Sequence, residues 1–116
     1  MIFDWKDYID LAEELLNRRE ESCLRTTISR AYYGVFCIVR NSKGYKNHKG
    51  MDVHQRVIEE YKNSSDRKEQ NIGRILDSLR RSRNHADYDE DKPISKELAE
   101  RALISSKMIL TTIRVS

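Results

Sequence analysis

Apolar side chains recur every three or four residues along most of this chain, the period of one face of a helix and not of a strand. Trp5, Tyr8, Ile9, Ala12, Leu15 and Leu16 keep that spacing, with Lys6, Asp7, Asp10, Glu13 and Glu14 between them. Residues 4–20 are therefore predicted as an amphipathic helix, capped by the short acceptor side chain of Asp4. A second helix, capped by Ser22 and running to about residue 41, carries Leu24, Thr27, Ile28, Ala31, Tyr32, Val35, Ile38 and Val39. These cover more than half its circumference, the mark of the central helix of a bundle. The stretch NSKGYKNHKG has no period, and residues 42–51 read as an exposed connection.

A short helix follows from Asp52 or Val53 to about Tyr61, with Val53, Val57, Ile58 and Tyr61 on one face, ending at the turn-like NSSD. A longer helix begins near Asp66 with Ile72, Ile75, Leu76 and Leu79 as its core stripe, and is closed by DYDEDKP, which holds the only proline. Ser95, Leu98, Ala102, Leu103, Ile109, Leu110 and Ile113 define a last helix over residues 95–114. Four long helices and one short helix with modest loops predict an all-α, up-and-down antiparallel bundle, and residues 1–116 are expected to form one domain. Tyr32 and Tyr33 suit either its core or a partner surface.

Composition narrows the class of partner without choosing it. The 22 basic and 19 acidic residues are interspersed and leave a net charge of +3, which permits nucleic acid but does not demand it. Cys23 and Cys37 lie in an apolar helical stretch without metal-ligand spacing, so reduced thiols in a cytoplasmic protein are expected. The charged opening MIFDWKDYIDLAEE is not expected to be a signal peptide, and no apolar run suits a membrane span. Neither a bound metal nor a cofactor is expected.

Glycine-rich phosphate loops, HExxH-like zinc pairs and nucleophile elbows are absent from the sequence. The group with chemical potential is LDSLRRSRNHADYDED, which brings Arg80, Arg81, Arg83, Asn84, His85, Asp87, Tyr88 and Asp89 together. At about 100° per residue, Arg83 continues the stripe of Ile72, Leu76 and Leu79, whereas His85 falls well away from it, towards solvent or another subunit. Two readings of the cluster stand side by side. In one, Arg83 and Asp87, a turn apart, form an ion pair at the bundle end. In the other, Arg80, Arg83, Asn84, His85 and Tyr88 line a polar cleft for phosphate, with arginine forks as donors and an imidazole as acid or base.

SRAYYGVF on the second helix, the HQRVIEEY stretch and IGRILDSLRRSRNHADYD on the fourth resemble, in order and over roughly residues 5–110, small prokaryotic HEPN-domain proteins. The likeness is closest to a subgroup whose fourth helix ends in Arg-x-x-Ala-Asp-Tyr. The resemblance implies a dimer, often paired with a minimal nucleotidyltransferase (MNT) protein or used in RNA cleavage and defence. Active HEPN ribonucleases place a histidine four to six residues after an arginine, often as Arg-Asn-x-x-x-His. Aligned on Arg83 and Asn84, that last position holds Tyr88, and a phenol is a poor proton shuttle near neutral pH. The register from Arg80 to His85 keeps the spacing but puts Arg81 where a small polar residue is usual.

The resemblance thus implies a homodimeric module that binds RNA or a nucleotide, one half of a toxin–antitoxin or defence pair, with a degenerate ribonuclease motif. Arg83, Asn84, Asp87 and Tyr88 are the expected ligand contacts. The alternatives are a metal-independent endoribonuclease using Arg80 or Arg83 with His85, and a non-catalytic interaction module. His54 matches a histidine of the subgroup, with capping, packing and ligand roles all open. His48 is expected to be solvated, and Arg30 to hold a carboxylate from a neighbouring helix or to face the dimer cleft.

Overall fold

The computed structural model describes residues 2–45 and 51–115, and five helices account for most of them: α1 (Lys6–Leu15), α2 (Glu21–Ser42), α3 (Met51–Lys62), α4 (Arg67–Tyr88) and α5 (Lys96–Val115). There is no strand among the described residues, and no helix is long and apolar enough to cross a membrane.

The broad apolar face of α2 explains its place. It touches each of the other four helices, and Ile28, Ala31, Tyr32, Val35 and Val39 are fully buried along it. α1 packs on α2 and α5, and α3 lies against α4, which in turn contacts α5. Buried side chains from all five helices merge into one core. Its buried Thr27 and Ser106 hydroxyls are satisfied by main-chain acceptors, as burial requires. Thr27 Oγ1 donates to the carbonyls of Cys23 and Ala12 at 3.0 and 3.2 Å, and Ser106 Oγ to that of Ala31 at 2.8 Å. Cys23 and Cys37 are free thiols, and burial raises the pKa of the Cys37 thiol.

Caps fix most helix starts. Asp4 Oδ1 accepts from the Lys6 amide, Asp66 Oδ1 from Lys68 and Ser95 Oγ from Leu98, the first at 3.0 and the others at 3.1 Å. Two boundaries differ from expectation. α1 stops at Leu15, not near residue 20, because beyond Leu16 the chain offers only Asn17, Arg18, Arg19 and Glu20, with nothing to bury and hence little to sustain a helix. Ser22 is not the cap of α2. Glu20 takes the extended cap position and its carbonyl accepts from Cys23 and Leu24. At the other end Gly44, at φ +82°, lets the chain turn back so that Tyr45 N donates to the Arg40 carbonyl. Of the expected 42–51 connection, residues 46–50, His48 among them, lie outside the described residues.

Candidate functional site

The periodicity of α4 places a charge where a hydrophobe would ordinarily sit. Ile72, Leu76 and Leu79 are buried along one stripe, and Arg83 continues it with only 6% of its surface exposed. Its guanidinium carbon lies 5.2 Å from the ring centroid of Tyr32, 5.2 Å from that of Tyr33 and 5.9 Å from that of Tyr88. Among the described residues it makes no ion pair and no hydrogen bond, and its Nε is buried without a partner. Arg80, almost a turn earlier, also buries an unpartnered Nε. Two permanent cations thus share one face of α4, and among the described residues Arg83 meets aromatic faces and no carboxylate.

α2 and α3 supply the rest of the site. Tyr32 and Tyr33 meet edge to face at 5.4 Å. Tyr32 Oη lies 2.7 Å from Nδ1 of His54, whose ring stacks on Phe36 at 4.1 Å. Burial, and then the charges of Arg80, Arg83 and Arg40, lower the His54 pKa to about 4, so the imidazole is neutral near pH 7. Burial likewise holds the Tyr32 phenol well above its ordinary pKa, against the opposing pull of Arg80 and Arg83. At the rim, Arg30 lies over the rings of Tyr8 and Tyr33 at 4.7 and 5.3 Å and donates to Ser29 Oγ, which donates to Asp87 Oδ2 at 3.3 Å.

The sequence-predicted residues divide between two sides of α4. Arg80 and Arg83 converge with Tyr32, Tyr33 and His54, and Tyr88, 71% exposed, extends the aromatic wall outwards. Asp87 joins through Ser29 and does not pair with Arg83, so the expected ion pair is absent: the neighbouring helix offers a hydroxyl closer to hand. Asn84 is exposed. His85 makes no side-chain hydrogen bond to Arg80 or Arg83 and stands on a different face of α4 from Arg83. It is half-buried, and its Nε2 is buried without a hydrogen-bond partner. Arg30 holds no carboxylate directly and reaches Asp87 only by way of Ser29.

Ser29 and Phe36 carry no signal in the sequence, Tyr33 suits a core or a partner surface equally, and the capping, packing and ligand roles of His54 stay open there. The adjacent tyrosines of SRAYYGVF were the one available signal, since two consecutive rings on a helix cannot both point into the same core. Chemically, the arrangement offers forked cationic donors for an anion, aromatic faces for a planar group and a neutral imidazole between them. No group of His, Cys, Asp and Glu suited to holding a metal ion occurs among the described residues. Comparison with known protein families, curated proteins and solved structures found no match to this chain.

Proposed function

We propose that this chain is a HEPN-type protein that binds RNA or a nucleotide without cleaving it, as a homodimer of up-and-down antiparallel bundles. One observation carries the reading: Arg83, a residue 94% buried on the core stripe of α4, has its guanidinium ringed by tyrosines, its Nε buried without a partner and no anion to pair with among the described residues. A desolvated cation is costly unless something negative meets it, and a phosphate flanked by a base that stacks on Tyr88 or Tyr33 supplies both halves of the complement. The resemblance of SRAYYGVF and RRSRNHADYD to HEPN sequences points to the same end of α4. Absence of cleavage is supported by the register, which puts Tyr88 and not a histidine five residues after Arg83, and by helical phase, which turns His85 about 200° from Arg83.

The biological setting is a toxin–antitoxin or defence pair with an MNT nucleotidyltransferase-like partner in the cytoplasm, and rests on the sequence resemblance. Dimerisation is supported by Ile104 and Met108, large apolar side chains left exposed on α5. Light scattering at micromolar concentration is expected to give twice the monomer mass.

The test of function is fluorescence anisotropy with a labelled single-stranded RNA in chelator, followed by a gel of the same RNA. Wild-type protein is expected to bind and leave the RNA intact, Arg83→Met to lose at least about tenfold in affinity, and the outlying Arg81→Ala to lose far less. Unchanged binding by Arg83→Met would sink the site. Cleavage that disappears in His85→Ala would establish the ribonuclease reading in its place.

A further inference from the structure

We infer that His54 is a third donor of the anion site and that it takes up a proton when the anion binds, so that ligand affinity is linked to pH. The inference rests on the anion-binding reading of Arg83 and Arg80, and adds to it a residue on a different helix and a form of regulation.

The geometry fixes the imidazole in place. Stacking on Phe36 at 4.1 Å holds the ring plane, and Tyr32 Oη at 2.7 Å occupies Nδ1. The hydroxyl of Tyr32 is held protonated by burial and has no other hydrogen bond among the described residues, so with a neutral ring it donates to Nδ1. The imidazole proton then resides on Nε2, which has no partner of its own among the described residues. Among the described residues the charged groups facing the ring are Arg80 and Arg83 from α4 and Arg40 from α2. Tyr32 and Tyr33 are the facing phenols.

Burial first, and then those three cations, keep His54 neutral in the free protein. An anion held by Arg80 and Arg83 reverses the local field. A second proton, taken from solvent, then settles on Nδ1, and the Tyr32 hydroxyl turns from donor to acceptor without changing its position. Binding is accordingly tightest below the free-protein pKa of about 4 and weakens as pH rises through the higher pKa of the complex.

Sulfate is the suitable probe, because it stays a dianion throughout the range. Calorimetric titration of the full chain is expected to show sulfate binding about tenfold more tightly near pH 5.5 than near pH 8, the change that follows if the bound ion raises the imidazole pKa to about 6.5. His54→Gln, which keeps a neutral N–H but cannot gain a proton, is expected to bind with little pH dependence. His54→Phe, which keeps the stack on Phe36 but has no donor, is expected to bind more weakly at both pH values. Ring-proton NMR is expected to show the His54 pKa climbing from about 4 as sulfate is added. An unmoved His54 resonance at saturating sulfate, or the wild-type pH slope in His54→Gln, would overturn the role of His54 and leave the arginine site standing. No sulfate binding at either pH, with Arg83→Met indistinguishable from wild type, would overturn both.

Discussion

Arg83 of α4 and Tyr32 of α2 meet as cation and ring face, 5.2 Å apart, at a depth where the rest of the stripe is Leu79, Leu76 and Ile72. Each desolvated ring contact contributes about 1–2 kcal/mol, whereas stripping water from an ion costs several. The balance leaves the unliganded fold under a penalty. Arg83→Met, similar in volume and uncharged, is therefore expected to raise stability by about 1–2 kcal/mol in urea unfolding while abolishing anion binding. A midpoint below that of Arg81→Ala would show instead that the rings more than compensate the charge. Asp87 does not enter this balance, because its hydrogen bond is to Ser29.

Arg25 ties α2 to the end of α4. Its Nη1 donates to the Ala86 carbonyl at 2.8 Å and to that of His85 at 3.4 Å, its Nη2 to those of Lys92 and Asp89 at 2.8 and 3.2 Å, and its Nε to Glu21 at 2.9 Å. These carbonyls include the otherwise unpaired acceptors of a helix C-terminus, which makes the guanidinium a cap supplied from another helix. Arg25→Ala is expected to cost about 2–3 kcal/mol, and Arg25→Lys, lacking the fork, to recover less than half of it. A loss below about 0.5 kcal/mol in a denaturant series would reject the cap.

Two glycines mark close helix contacts of unequal severity. A Cβ on Gly34 would stand 2.8 Å from Ile9 Cγ1 and 3.0 Å from the Trp5 carbonyl oxygen, whereas one on Gly73 would stand 2.5 Å from the main-chain nitrogen of Lys62. A side-chain tip can rotate away and a backbone cannot. Gly73→Ala is thus expected to cost more than Gly34→Ala, both within about 1–3 kcal/mol, and to weaken anion binding by displacing α3 with His54. Calorimetric melting temperatures in the reverse order would contradict this account of the α3–α4 contact.

Acid should destabilise the protein through His54. With its folded-state pKa lowered to about 4 against an ordinary 6.5, the unfolded chain binds the extra proton between those values, so stability present above about pH 6.5 is lost as pH falls towards 4. Allowing for solvent screening of a half-buried ring, the loss is about 2 kcal/mol. His54→Phe is expected to flatten that slope in urea midpoints measured across the range. An unchanged slope would move the proton-linked cost elsewhere.

Angular position on a helix is a local property, and what depended on it was readable. The stripe from Ile72 to Arg83 and the separation of His85 from it both follow from a fixed turn per residue, and the cap at Asp4 follows from its short acceptor side chain, although the same reasoning fails at Ser22, where Glu20 takes the cap position. What a face meets is not local. The four-residue rule favoured Asp87 as partner for Arg83, but Ser29 on α2 stands against Asp87 and three tyrosine rings stand against Arg83. His54 entered the site because α3 docks beside Tyr32 and Phe36, a placement that no spacing within HQRVIEEY encodes. The side of His85 was legible, but the burial of its Nε2 was not.

Asp89, Glu90, Asp91 and Lys92 form a polar stretch between α4 and Pro93, the kind of segment that an added protease finds first. Here the carbonyls of Asp89 and Lys92 are both held by Arg25, so the strand cannot enter a cleft in extended form until that guanidinium lets go. A glutamate-specific endoprotease should nick the wild type after Glu90 only at the pace of that release, and the Arg25→Ala chain much sooner. Digestion rate then becomes a clock for how often the end of α4 bearing Tyr88 lifts from α2.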